Sequence, residues 1–240
     1  RVDMKKLPSR GAKGLRRSLH FVPGGNDRMF EKALKLPADS LILDLEDSVT
    51  PSNKKAARDE VCNWIKEIDF ENQECLVRIN PLDTSWGLDD LQAVVEALPD
   101  GIVLPKVAKK KDVMKIDSIV CDIERQKQIE EGSISFVLIG TEVPEAVFNL
   151  YKMAKIPRVD AITWGAEDLS GALGAKAKRD SEGNYLEVFS YVRSACLLAA
   201  VAGDANPIDA VYVDIKNTDG LTQECEDGAK MGYTGKVTIH

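Results

Sequence analysis

The feature that most constrains this chain is a rhythm. Short apolar runs rich in leucine and β-branched residues recur eight times, separated by longer amphipathic stretches. The runs are Ser18–Val22, Leu41–Asp44, Cys75–Ile79, Ile102–Leu104, Ser135–Ile139, Ala161–Trp164, Ala210–Asp214 and Lys236–Ile239. They are apolar and alternate poorly, as parallel strands covered on both faces do. Helical spacing fills the gaps, over Asp27–Leu36, Asn53–Ile68, Leu88–Leu98, Lys111–Ile129, Pro144–Ala154, Leu186–Ala202 and Thr222–Met231. Eight strands joined by seven crossovers in 240 residues predict an α/β fold, one (β/α)8 TIM barrel. A doubly wound open sheet gives a similar string, but it usually carries a glycine-rich first turn that this chain lacks. The expected division is a basic arm over residues 1–15 and a single barrel domain over 16–240. The barrel's final helix, the C-terminal segment after the eighth strand, is expected to be missing.

Composition narrows the function by exclusion. No apolar run approaches the ~20 residues that span a bilayer, so no membrane partner is expected. A net charge of -7 argues against a nucleic-acid partner. The five cysteines are scattered and never form a C-x-x-C pair, which reads as reduced thiols in a cytoplasmic protein. Two histidines, His20 and His240, exclude a histidine-rich zinc site. No dinucleotide fingerprint or P-loop is present. Residues 1–17 carry seven Lys and Arg against a lone Asp3, which suits a solvated arm, a polyanion contact or a transit segment.

In a barrel the active site lies at the C-terminal ends of the strands. Those positions are polar here: Asp44-Leu45-Glu46-Asp47, Arg78-Ile79-Asn80, Pro105-Lys106, Gly140-Thr141-Glu142 and Gly165-Ala166-Glu167-Asp168, with Asp214 expected to end the seventh strand. Carboxylates from different strands, without histidine or cysteine, suit a hard oxygen-seeking cation such as Mg²⁺. Glu142 and Asp168, on neighbouring strands and each near a glycine, are the expected ligands. They would chelate an α-hydroxy or α-keto carboxylate, with the Arg78 fork facing developing negative charge. Each acid has a structural rival: a helix N-cap for Asp47 and Glu167, a first-turn acid for Glu142 and a turn cap for Asp168.

Seven segments in order carry a resemblance. They are Arg17-Ser18-Leu19-His20-Phe21-Val22-Pro23-Gly24, Leu43-Asp44-Leu45-Glu46-Asp47-Ser48-Val49, Val77-Arg78-Ile79-Asn80, Leu104-Pro105-Lys106-Val107, Glu142, Gly165-Ala166-Glu167-Asp168-Leu169 and the stretch from Gly228 to His240. Together they resemble the citrate lyase β-subunit-like proteins of the HpcH/HpaI aldolase superfamily. The resemblance implies a Mg²⁺-dependent carbon–carbon lyase acting on 3-hydroxyacyl-CoA thioesters of the citramalyl, malyl or citryl type. It assigns Glu142 and Asp168 to the metal, with Glu142 also near substrate, and Arg78 to substrate and enolate. Arg17 would hold a substrate carboxylate or thioester, and the acids Glu46 and Asp47 would support or polarise the catalytic site. The chemistry is a retro-Claisen cleavage to acetyl-CoA and a 2-keto acid, in a homo-oligomer (trimer or hexamer). Members of the family continue beyond this chain's end with a segment that covers a neighbouring site. Two alternatives stand beside the CoA-thioester lyase. One is a class II pyruvate aldolase on free hydroxy-keto acids, the other a subunit of a multi-subunit citrate lyase.

Overall fold

The computed structural model of this protein describes residues 10–11 and 13–240. The rest of the expected basic arm, residues 1–9 and 12, lies outside the described residues. Within that arm Arg10–Gly11 pairs with Gly14–Leu15 as a short antiparallel ladder.

Eight strands follow: β1 Ser18–Pro23, β2 Ser40–Asp44, β3 Glu74–Arg78, β4 Gly101–Leu104, β5 Ser135–Ile139, β6 Val159–Thr163, β7 Asn206–Asp209 and β8 Gly235–Thr238. Each pairs in parallel with the next, and β8 returns to β1 in the register Val237↔Leu19, closing the barrel. The helices between them are α1 Asp27–Ala33, α2 Lys54–Glu67, α3 Gly87–Ala97, α4 Lys110–Gln126, α5 Pro144–Val147, α6 Leu150–Ala154, α7 Ala166–Leu173, α8 Glu187–Ala202 and α9 Thr218–Met231. This is a (β/α)8 barrel.

Side chains alternate across each strand and so build two apolar layers. Leu19, Ile42, Leu76, Val103, Val137, Ile208 and Val237 fill the barrel interior. Leu41, Leu43, Val77, Ile102, Leu104 and Ile162 face outward onto helix residues such as Val61, Leu91, Val94 and Val113. Fully burying such a side chain is worth about 1.5–3 kcal/mol, so the sealed wall is what makes the rim rigid. The helices start and stop on local signals. Asn26 caps α1 through the Met29 N–H, Pro144 opens α5, and Gly232 at φ +116° ends α9 in a conformation that favours glycine.

The N-terminal mouth of the barrel is closed by charge. Arg16, wholly buried, donates from Nε to Glu74 Oε2 at 2.8 Å, and its Nη1 lies 2.7 Å from Asp160. Ser40 Oγ also donates to Glu74, at 2.7 Å. Ser40 and Glu74 open β2 and β3 and point inward by the same alternation as Ile42 and Leu76.

Three local expectations change. The seventh strand is Asn206–Asp209. The β-branched run at 210–213 continues past the ladder, where Val211 and Val213 line the mouth, so Asp214 ends no strand. The Asn206-Pro207 pair reads as a turn in sequence, yet Pro207 is tolerated because only its carbonyl is used, accepting from Thr234. The helix expected over 144–154 breaks into α5 and α6 at Phe148-Asn149, and α7 was not anticipated.

Candidate active site

The site grows from a register. Asp44 and Arg78 are the last residues of β2 and β3 and are direct cross-strand partners. Counting by twos from the interior residues Ile42 and Leu76, both side chains point into the C-terminal mouth. There Arg78 donates from Nε to Asp44 Oδ1 at 2.6 Å and from Nη2 to Oδ2 at 2.8 Å, a planar fork closing on a carboxylate. Asp44 also accepts the backbone N–H groups of Glu46 at 2.9 Å and Ser48 at 3.0 Å, which curls the 44–48 segment back over the arginine. Lys54 donates to the carbonyls of Leu45 and Glu46 and holds that curl from below.

The curl delivers two more acids. Glu46 Oε2 lies 3.0 Å and Asp47 Oδ2 3.4 Å from Arg78 Nη1. Glu46 is buried, whereas the Asp47 side chain is 57% exposed at the lip. Lys106, just beyond β4, reaches Glu46 Oε1 at 2.5 Å. The Arg78 guanidinium also sits 4.7 Å from the centre of the Phe21 ring, which lies on β1.

Glu142, after β5, is buried, and its Oε2 accepts the Lys106 backbone N–H at 2.6 Å. Its carboxyl adjoins that of Asp168 in the first turn of α7, close enough for a proton held by one to bond the other. Gly165, at the N-terminus of α7, lies against the Glu142 stem: a Cβ there would sit 3.5 Å from Glu142 Cγ. These groups share one cavity of about 460 Å³, lined by Phe21, Asp44, Asp47, Arg78, Glu142, Thr163, Asp168 and the apolar Ile139, Val211 and Val237.

The electrostatics follow from crowding. Burial opposes charge on Arg78, but Asp44, Glu46 and Asp47 override it and hold the guanidinium firmly protonated. Burial likewise raises Asp44, and the bonds from Arg78 reverse the sign and hold it below the usual carboxylate range. Glu46 remains raised because burial outweighs Arg78 and Lys106. Glu142 is pushed up to about 8, first by burial and then by Asp168 and Glu46, against the pull of the Lys106 N–H.

Of the residues expected from sequence, Arg78, Glu46, Asp47, Glu142 and Asp168 converge on this mouth. Arg17 does not. It precedes β1 at the opposite end of the barrel, is 66% exposed, and donates to Asp39 at 2.8 and 2.9 Å. The six residues of β1 separate it from the mouth by roughly 20 Å at ~3.3 Å per residue, so a substrate contact for Arg17 is withdrawn. Asp44, which the sequence marks only as one of the rim acids, is the main partner of Arg78. The signal was available: Asp44 ends an apolar strand on the inward parity.

A barrel mouth at the C-terminal strand ends, in which an arginine faces a cluster of acids, is where a barrel enzyme carries its active site, and its family makes that enzyme a carbon–carbon lyase. The chain belongs to the HpcH/HpaI aldolase/citrate lyase family, whose model matches residues 17–240. It is 33% identical over 224 residues to a (3S)-malyl-CoA thioesterase of Cereibacter sphaeroides, covering 93% of this chain and 73% of that protein. It is 35% identical to the citrate lyase subunit beta of Escherichia coli, covering 94% and 73%. Among solved structures, the CitE protein of Mycobacterium tuberculosis in complex with magnesium, acetoacetate and coenzyme A superposes with a TM-score of 0.78 at 30% identity, over 98% of this chain and 78% of that one.

Proposed function

We propose that this protein is a Mg²⁺-dependent lyase that cleaves a 3-hydroxyacyl-CoA thioester to acetyl-CoA and a 2-keto acid. The observation that carries the reading is the Glu142–Asp168 pair opposite Arg78 in one cavity. The magnesium-bound and CoA-bound relative supports it.

The residues fit the ion. Among the described residues no three His, Cys, Asp or Glu side chains form a ready cage. Two carboxylates suffice for Mg²⁺, which keeps its remaining positions for water and substrate oxygens. Glu142, a buried acid beside a second acid, is a group that a divalent cation would relieve. When bound there, Mg²⁺ would polarise the hydroxyl and carboxylate oxygens of the substrate and ease loss of the hydroxyl proton.

The chain's own groups do the rest. Arg78 is rigid, permanently charged and aimed into the cavity, so it neutralises the thioester enolate released as the carbon–carbon bond breaks. Asp44 keeps that fork oriented, and Glu46 and Asp47 set the charge around it. The apolar wall of Ile139, Val211 and Val237 keeps water from the carbanion. Self-association, as a trimer or hexamer, belongs to the same proposal. Its support is an apolar stripe on α8 left exposed among the described residues, where Leu198 is 70% exposed on the same side as Val188, Tyr191 and Val201. A cytoplasmic location is supported by five cysteines that form no disulfide among the described residues. No helix there is long and apolar enough to cross a membrane.

The test is a panel of citramalyl-, malyl- and citryl-CoA, the matching free acids and free hydroxy-keto acids, with and without chelator. Acetyl-CoA plus a keto acid, formed only with Mg²⁺ and only from a thioester, is the expected result. Free CoA plus the intact hydroxy acid would make the protein a thioesterase, and equal turnover of free hydroxy-keto acids would make it an aldolase.

A further inference from the structure

Lys106 follows Pro105 at the end of β4 with a left-handed backbone, φ +55°. A residue with a side chain persists there only when its surroundings impose it, and such strain concentrates at working sites. Two contacts impose it here. The Lys106 N–H is held by Glu142 Oε2 at 2.6 Å, and its Nζ is held by Glu46 Oε1 at 2.5 Å. One residue thus ties the acid on the Asp168 side to the acid on the Arg78 side.

The consequence appears at the far oxygen of Glu46. Oε2 is buried 3.0 Å from Arg78 Nη1, yet it accepts no hydrogen bond. Nε and Nη2 of the arginine are committed to Asp44. Nη1 makes only a long 3.4 Å bond to Asp47, an exposed acid that a ligand can displace. Glu46 Oε2 therefore meets Nη1 as an ion pair but stands out of line with its N–H groups, and Lys106 holds the carboxylate in that attitude by its other oxygen.

We propose that Lys106 is a positioning residue, which keeps the Glu46 carboxylate out of line with the Arg78 Nη1 N–H groups and reserves them for an anionic oxygen of the substrate. The proposal rests on the reading of the mouth as a site for an anionic thioester. Without the lysine, Glu46 turns its free oxygens onto Nη1, and the guanidinium is saturated by protein carboxylates before substrate arrives.

The test uses Lys106→Met, Lys106→Gly, Glu46→Gln and the double variant Lys106→Met/Glu46→Gln. Two readouts are taken: kcat/KM on the cleaved thioester, and the rate at which phenylglyoxal modifies Arg78, mapped by mass spectrometry. Both single Lys106 variants should lose about tenfold in kcat/KM and should slow Arg78 modification. The double variant should return to within about threefold of Glu46→Gln alone, because residues acting through one partner are not additive. Glycine adopts the left-handed backbone freely, so a purely conformational role for Lys106 predicts Lys106→Gly to be stable and fully active. That result overturns the proposal, as do multiplicative losses in the double variant. If the parent protein cleaves no thioester, the reading of the reaction fails. The Arg78 modification rates then decide on Lys106 by themselves, and unchanged rates in Lys106→Met reject it.

Discussion

Asp44 grips Arg78 through two parallel hydrogen bonds, 2.6 Å to Nε and 2.8 Å to Nη2, while the two residues face each other across adjacent strands. Neutralising Asp44 removes both bonds of the fork and leaves the buried guanidinium to Glu46 and Asp47. Asp44→Asn should therefore cost about 3–5 kcal/mol in stability. It should also lower kcat by about 10²-fold, because the fork is no longer held in place. Chemical denaturation and steady-state kinetics read the two effects. An unchanged kcat in a folded variant would show that Asp44 does not orient Arg78 for the reaction.

Glu142→Gln keeps the shape of the side chain and deletes its charge. We expect Mg²⁺ to raise the melting temperature of the parent, and the variant to fold, to lose that rise and to lose most metal-dependent turnover. Ligand-linked stabilisation follows RT ln(1 + [L]/Kd), so thermal melts at several Mg²⁺ concentrations measure the change directly. Full activity in this variant would move the metal elsewhere.

The same residue sets a pH dependence. Folding lifts the Glu142 carboxyl from its ordinary 4.5 to about 8, so between those values the folded protein holds a proton that the unfolded chain has released. Stability of the metal-free protein should accordingly decline as pH rises through that window and level off above it. Saturating Mg²⁺ should flatten the decline, since the ion takes the place of the proton, and Glu142→Gln should abolish this contribution. Melting temperatures from pH 5 to 9 test all three statements.

At the other end of the barrel, Glu74→Ala should leave Arg16 and Ser40 buried without their shared acceptor. A loss of about 3–5 kcal/mol is expected. The metal affinity of the surviving folded protein should be unchanged, because the pair lies a full strand length from Glu142. Urea titration and Mg²⁺ titration separate the two.

Much of this arrangement was legible before any coordinates, for a physical reason. A strand buried on both faces must be apolar, so an acid or arginine ending such a run can only be meeting ligand or counter-charge. That logic singled out Arg78, Glu142 and Asp168, and it located β5 at Ser135–Ile139 to the residue. It failed at β7, where Pro207 hid a strand and the apolar residues beyond it imitated one. It failed at α7, whose eight residues include Gly171 and carry little helical signal. Arg17 misled because a motif gives order along the chain but does not say at which end of a strand a side chain stands. Lys106 was visible as a rim cation, but its backbone conformation, on which its link to Glu142 depends, leaves no trace in the residue types.

The packed interior of Leu19, Ile42, Leu76 and Val237, with the Arg16–Glu74–Asp160 cluster closing the far end, turns the barrel into a well with a floor. A reactant that enters past Asp47 must leave by the same doorway. The two products of the proposed cleavage would therefore share one exit, with the fragment nearer the opening standing in the path of the other.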